Sequence, residues 1–292
     1  MTKRSHHDRC PGVLRPWIAD DGALVRLRLV GGVLPTSSLR ALIGIAQEHA
    51  DGTIHLTKRT NLQLRGIAHS GGCVPGELVD ALAGVGLLPS VTHELVRNIM
   101  VSPLTGRSGG RADLRATARE LDRQLCADPE LAGLAGRFLF VLDDGRGDLA
   151  SRSLDLGVMA IDPDTVQIRI GSHHWGELAT REEAPEALLA YARAFLRING
   201  EGESALWHLD ELPRGGAELT GIHHARDLRT QVTGLPQPYG IIAQDDGSRA
   251  EHLAVPAGLL TPELAQAVLA RAGTEVIVTP WRSIIIPDLE ST

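Results

Sequence analysis

One stretch of this chain is written twice, and any fold must accommodate both copies. Residues 24–67 run Leu-Val-Arg-Leu-Arg-Leu-Val-Gly-Gly, then an apolar segment opened by Pro35-Thr36, then Thr-Ile-His-Leu-Thr-Lys-Arg-Thr-Asn-Leu-Gln-Leu-Arg-Gly-Ile. Residues 251–289 follow the same plan. A strand-like segment ends in Pro256-Ala257-Gly258, Thr261-Pro262 opens a helix, and Glu275-Val276-Ile277-Val278-Thr279-Pro280-Trp281-Arg282-Ser283-Ile284-Ile285-Ile286 closes the copy. Gly32 matches Gly258 and Thr57 matches Thr279. A repeated unit that cannot bury its apolar side alone needs its partner copy to do so. Cap hydroxyls and first-turn prolines start the helices, and Leu39, Leu42 and Ile43, like Leu264, Val268 and Leu269, fall at helical spacing. A further helix opens at Val74-Pro75-Gly76. The order β-α-β-β-α predicts an α+β fold with helices on one face of an antiparallel sheet, and two such half-units pairing into one pseudo-symmetric domain.

The region between the copies differs. A helix is expected from about Ala112 with Leu114, Leu121 and Leu125 on one stripe and Cys126 beside it, and Phe138–Leu142 reads as a short buried strand turned by Asp143-Asp144-Gly145. Val166–Ile170 alternates as a second strand, and Ala184–Arg197 is a helix stopped by Asn199-Gly200. The organisation predicted is a first half-domain over residues 1–88, an α/β region over 89–228 and a second half-domain over 229–292. With 43% hydrophobic and 22% charged residues the chain is globular. No apolar run approaches the roughly 18 residues of a membrane span, and the polar start is no signal peptide, so a soluble cytoplasmic protein is expected. A net charge of −7 argues against nucleic acid as the main partner.

Strand alternation gives the sharpest functional expectation. From Thr57 onward, one face presents Thr57, Arg59, Asn61, Gln63 and Arg65, and the other Leu56, Lys58, Thr60, Leu62 and Leu64. On the preceding strand Arg26 and Arg28 share a face, while Val25, Leu27 and Leu29 take the other. A solvated sheet face would mix Glu, Lys, Ser and Thr; this one has arginines and amides with no acid among them. Such a face calls for an anionic ligand or a covering acidic segment. Arginine suits carboxylates because its planar fork binds them bidentately, and of 29 basic residues only Lys3 and Lys58 are lysine. Neither G-x-x-x-x-G-K-[ST] nor G-x-G-x-x-G occurs, so neither standard nucleotide cradle is supported.

These segments carry a resemblance. Arg26–Gly32, Leu56–Ile67 and Arg97-Asn98-Ile99 resemble the sirohaem-dependent sulfite and nitrite reductases. Cys10–Pro16, Gly136–Phe140, Asp143-Asp144-Gly145-Arg146-Gly147-Asp148 and Thr279–Arg282 are similar to the precorrin-3B synthases of aerobic cobalamin biosynthesis within that superfamily. The resemblance implies ferredoxin-like half-repeats flanking a nitrite/sulfite-reductase-like α/β domain, with a tetrapyrrole as substrate or as sirohaem. It assigns Arg28, Arg59, Gln63 and Arg65 to tetrapyrrole carboxylates or the distal site, with Asn61 on the same face and Arg97 and Asn98 at the family's Arg-Asn step. The implied reaction is O₂-dependent oxidation of precorrin-3A, hydroxylating C20 and closing a γ-lactone. Catalytic residues are not identified. At Gly136 the chain departs from the reductases, which carry a basic residue there.

The superfamily holds a [4Fe–4S] cluster with cysteines spaced C-x5-C and C-x3-C after the second repeat. This chain has Cys10, Cys73 and Cys126, neither pair, and too few for a four-cysteine site. A separate cluster-bearing domain or electron donor is therefore an expected partner. His6-His7, His173-His174 and His223-His224 are adjacent pairs whose members point to opposite faces of a strand, which disfavours joint metal binding. No metal site is assigned; Asp143, Asp144 and Asp148 read as a turn, with a hard-cation cluster as the alternative. Three functions stand: a precorrin-3B synthase-like oxidoreductase, part of a sirohaem reductase, or a cluster-less tetrapyrrole-binding module.

Overall fold

In the computed structural model, which describes residues 10–200, 205–232, 234 and 236–290, the two copies of the repeat fold alike. The first contributes β1 (Trp17–Ala19), β2 (Gly22–Leu27), β3 (Val33–Pro35), α1 (Thr36–His49), β4 (Ile54–Leu56), β5 (Leu62–Ile67) and α2 (Gly76–Gly84). Then come β6 (Ile99–Val101), α3 (Arg115–Ala127), β7 (Phe140–Asp143), β8 (Leu156–Ala160), β9 (Thr165–Ile170), β10 (His174–Thr180) and α4 (Ala184–Ile198). The second copy supplies β11 (Gly240–Ala243), β12 (Arg249–Ala254), β13 (Leu259–Leu260), α5 (Pro262–Leu269), β14 (Glu275–Val278) and β15 (Ser283–Leu289). The class is α+β, and the described residues build three five-stranded sheets.

The chain forms two units: Leu95–Pro236, and Cys10–Glu94 with the chain from Gln237 onward. In the second of these the sheets have the orders β1-β2-β5-β4-β13 and β11-β12-β15-β14-β3. Each copy thus hands one strand to the other's sheet. Val33 and Leu34 of β3 pair with Ile277 and Val276 of β14, and Leu259 and Leu260 of β13 pair with His55 and Ile54 of β4. Sequence alternation does not reveal this exchange. One shared core results, in which Leu27, Leu64, Leu39, Leu42 and Leu78 of the first copy are buried with Val268, Val276 and Ile284 of the second. Fully burying one leucine is worth roughly 1.5–3 kcal/mol, so separating the copies would forfeit part of the burial that this shared core provides.

The exchange passes through two glycines. Gly32 and Gly258 have φ of 74° and 75°, a region costly for residues with a Cβ. A Cβ at Gly32 would collide with the Val278 carbonyl and lie 3.2 Å from Thr60 Cβ; at Gly258 it would lie 3.1 Å from Arg282 Cβ and 3.3 Å from the Leu56 carbonyl oxygen. The two environments are counterparts, strand end for strand end and turn residue for turn residue.

The continuous strand expected from Thr57 to Arg65 is instead a hairpin. β4 ends at Leu56, β5 begins at Leu62, and the chain reverses through Thr57–Asn61, with Thr60 at φ 57°. Thr57 explains the turn: its amide donates to the Asn61 carbonyl, and its hydroxyl accepts from the amides of Arg59 and Asn61. Thr279 turns the second copy the same way, with Arg282 at φ 59° and the Thr279 amide on the Ser283 carbonyl. The face of Thr57, Arg59, Asn61, Gln63 and Arg65 therefore divides into a turn and a strand.

The unit Leu95–Pro236 has the sheet order β10-β9-β8-β7-β6, with β6, β7 and β8 parallel and the remaining pairs antiparallel. Its helices begin where sequence placed them, except that α3 opens at Arg115 rather than Ala112. Leu121 and Leu125 of α3 and Leu188 and Phe195 of α4 are buried, and Phe138 sits 5.2 Å from Phe140 and 5.6 Å from Phe195, ring to ring. Periodicity does not reveal β6, β8 or β10; the all-buried runs of β6 and β8 carry no alternation to read.

Two glycine substitutions test the crossing. Gly32→Ala should cost about 3 kcal/mol or more, or abolish folding, since it adds a steric collision to a left-handed backbone. Gly44→Ala, in the exposed interior of α1 with nothing near its Cβ position, should stabilise by about 0.5–1 kcal/mol. Urea unfolding of both variants measures the contrast.

Candidate functional site

The outward face of the first sheet comes from strand register. On β4, β5 and β2 the core takes Ile54 and Leu56, Leu62 and Leu64, and Val25 and Leu27, so His55, Gln63 and Arg26 share the opposite face. They are register partners: His55 pairs with Gln63 and Gln63 with Arg26, and Leu259 of β13 lies beyond His55. With about 4.8 Å between strands, an imidazole, an amide and a guanidinium stand in one row. With its amide oxygen turned toward β2, Gln63 accepts from Arg26 Nη2 at 2.8 Å. Arg59 is half-buried in the adjoining turn and Lys58 is exposed.

Other assigned residues have internal work. Arg28 is buried, and its Nη1 donates to the Pro11 carbonyl at 3.1 Å, fastening the Cys10–Pro16 loop. Asn61 is fully buried and its side-chain oxygen accepts the Leu29 amide at 3.1 Å, just before the strand crossing. Arg65 reaches Asp21 at 3.3 Å, so this arginine has an acid that strand alternation did not show. His55 is likewise 2.7 Å from Asp51. His55 was not singled out in the sequence, although Ile54-His55-Leu56 carries the same alternation.

Arg97 and Asn98 belong to the other unit. Arg97 is buried with a bidentate pair of 2.7 Å bonds to Asp122 of α3, and the Asn98 amide donates to the carbonyls of Leu95 and Gly136. Both side chains are thus tied to other residues of their own unit.

In the same unit the Asp-Asp-Gly-Arg-Gly-Asp stretch forms a buried acidic turn at the end of β7. Asp143 accepts backbone amides from Gly145, Gly147 and Leu149, and Asp144 takes a forked bond from Arg146. Asp148 Oδ1 accepts from the Ser102 hydroxyl at 2.7 Å, while its buried Oδ2 has no hydrogen-bond partner and lies 3.8 Å from Arg146 Nε. The three carboxylates bring oxygens within 4.8 Å of one another. Most of those oxygens also accept amide, hydroxyl or guanidinium bonds, and Arg146 lies beside the remaining one. Burial, and then the charge of Asp143, push the Asp148 carboxyl up to about 7. Burial raises the Asp143 carboxyl as well, against the three amides it accepts.

His252 of β12 is buried among hydrogen bonds. Its Nδ1 faces the carbonyls of Gln237 and Pro238, so that nitrogen carries the proton and Nε2 accepts from the Ser283 hydroxyl at 2.6 Å. Burial lowers its pKa. The pairs His173-His174 and His223-His224 line one cavity, whereas His6-His7 lie outside the described residues. Cys10 is half-buried, Cys73 exposed, and Cys126 half-buried on α3; cysteine enters no metal-binding group among the described residues. These thiols do not fit a [4Fe–4S] cluster. Among the described residues no helix is long and apolar enough to cross a membrane.

Comparison with known proteins agrees with this architecture. Residues 19–70 match the nitrite/sulfite reductase ferredoxin-like half domain. The chain is distantly related to a precorrin-3B synthase from Sinorhizobium sp, 32% identical over 154 residues that span 52% of this chain and 32% of that protein. Its fold resembles that of the Mycobacterium tuberculosis NirA protein, with a TM-score of 0.72 and 22% identity over 99% of this chain and 58% of NirA. The chain thus spans about a third of the curated relative's length.

The acidic turn predicts a pH signature. Because the folded pKa of Asp148 exceeds its unfolded value of 3.8, the folded state binds the extra proton between the two, and stability falls as pH rises toward 7. The slope for one proton is at most about 1.4 kcal/mol per pH unit. Asp148→Asn should match the parent near pH 4 and exceed it at pH 8, as thermal melts across that range would record.

Proposed function

We propose that this chain binds a polycarboxylate tetrapyrrole on the outward face of its first half-domain and serves a precorrin-3B synthase-like oxidation in cobalamin biosynthesis. The observation that carries this reading is the Arg26–Gln63–His55 row beside the Arg59 turn, on the segment that matches the ferredoxin-like half domain. Arginine and amide side chains aligned at strand spacing suit a ring edged with carboxylates. Arg26, Arg59 and Gln63 form the binding face, with Arg65 at its edge; Arg28 and Asn61 position the backbone behind it. The second sheet is read as a second ferredoxin-like half, and Leu95–Pro236 as the reductase-like α/β domain. The protein's share of the chemistry is to bind and orient the macrocycle. Oxidation at C20 and closure of the γ-lactone need an oxygen-activating centre, and the cysteines of this chain do not supply a cluster. A separate cluster-bearing domain or donor completes the reaction in this reading.

Titration with uroporphyrin, a stable octacarboxylate ring, tests the face. A charge-assisted bond is worth roughly 1.5–3 kcal/mol, so Arg59→Ala should bind about tenfold or more weakly. Arg59→Lys should fall between, keeping charge without the fork, and Arg40→Ala on α1 should match the parent. Equal affinity of the parent and Arg59→Ala would remove the basis of the reading. Precorrin-3A that binds but is not oxidised in the presence of O₂ and a reductant would favour the binding module.

A further inference from the structure

The tetrapyrrole face leaves the histidines of the unit Leu95–Pro236 unexplained. His173 and His174, at the β9–β10 turn, and His223 and His224, on the segment before the second copy, line one cavity of about 670 Å³ together with Arg214 and Arg226. That volume is in the range of small-molecule sites. The sequence separates the two pairs by fifty residues, and only the fold unites them.

The cavity is held in shape by buried polar groups. Asp210 accepts the amide and hydroxyl of Ser172 at 2.8 and 2.5 Å, pinning the turn that carries His173. Gln167, buried on β9, donates to the Ala225 carbonyl and accepts the Asp227 amide, pinning the opposite wall. Gly215 and Gly216 take φ of 61° and 101° to shape the loop. Glu218, the acid in the lining, is occupied by the amides of Arg214 and Gly216. Glu177 lies at the edge, 3.9 Å from His224 Nε2, and takes the Tyr191 hydroxyl at 2.6 Å.

The remaining charge is positive. Arg226 lies 5.0 Å from the Trp175 ring centroid, and the buried Arg169 lies 5.6 Å from the same ring. Arg169 Nη1 is buried and has no hydrogen-bond partner among the described residues. The charge of Asp143 already acts on Arg169, so the pull on an anion comes from the cations of the lining itself, the exposed Arg214 and Arg226, the latter held in place by bonds to Thr230. The histidines are not arranged for a metal: among the described residues no group of three or more ligand atoms within 4.8 Å of one another includes a histidine.

We propose that this cavity binds a small molecule bearing two or more anionic oxygens, gripped by Arg214, Arg226 and the imidazole N–H groups. Calorimetric titration of the whole chain with citrate and with pyrophosphate tests it, the tighter probe showing whether carboxylate or phosphate is preferred. One-to-one saturable binding is expected, weakened about tenfold or more in Arg214→Glu and more modestly in His173→Ala. Both side chains are exposed, so folding should survive, and matching circular dichroism would show that it does. Arg40→Ala should bind like the parent. Failure of both probes to saturate, or equal binding by Arg214→Glu, would overturn the proposal. So would stoichiometric Zn²⁺ binding lost in His173→Ala without anion binding. None of these outcomes depends on the tetrapyrrole face.

Discussion

The unit built from the repeat depends on a backbone crossing that only glycine permits. At Gly32 and Gly258 the chain leaves one sheet in a left-handed conformation and enters the other, close against a strand-end carbonyl. Once β3 and β13 have been exchanged, neither sheet is complete without both copies, and the apolar faces of both close one core. The crossing also brings the Thr57 and Thr279 turns to matching positions, since Thr60 and Arg282 are the residues packed on the two glycines. The turn that carries Arg59 is thereby fixed by the same contact that makes the fold.

A symmetric scaffold here carries asymmetric chemistry. The outward row of the first sheet is Leu259, His55, Gln63 and Arg26; the matching row of the second is Val33, Ile277, Ile285 and His252. The first is polar at three positions and partly exposed. In the second, Ile277, Ile285 and His252 are all buried, and His252 is neutral and tied to Ser283. The repeat presents two equivalent faces, and of the two rows only the first keeps a guanidinium, an amide and an imidazole side by side.

The repeat, the helices and the inward leucines were legible because periodicity reports directly on burial. The hairpin at Thr57 was not, because Thr-Lys-Arg-Thr-Asn has neither glycine nor proline and the reversal rests on one threonine hydroxyl and a left-handed Thr60. Alternation therefore appeared to continue through a turn, and assigned Asn61 to a ligand when it caps the Leu29 amide. Strand exchange was hidden for a different reason: β3 and β13 span only Val33–Pro35 and Leu259–Leu260, too short to show a period. The histidine cavity depends on contacts distant in sequence, which no local pattern reports.

Abundant arginine also proves a poor guide by itself. Several arginines instead close forks with acids of the chain: Arg97 on Asp122, Arg115 on Asp113, Arg146 on Asp144, Arg229 on Asp227 and Arg193 between Asp128 and Glu186. Such pairs need no ligand, and the exposed ones add little stability. What sets other arginines apart from these is their neighbourhood. Arg26 stands in a row with an amide and an imidazole, and Arg214 and Arg226 share a cavity whose lining acid is already bound to backbone. Residue type marks both groups alike, and geometry tells them apart.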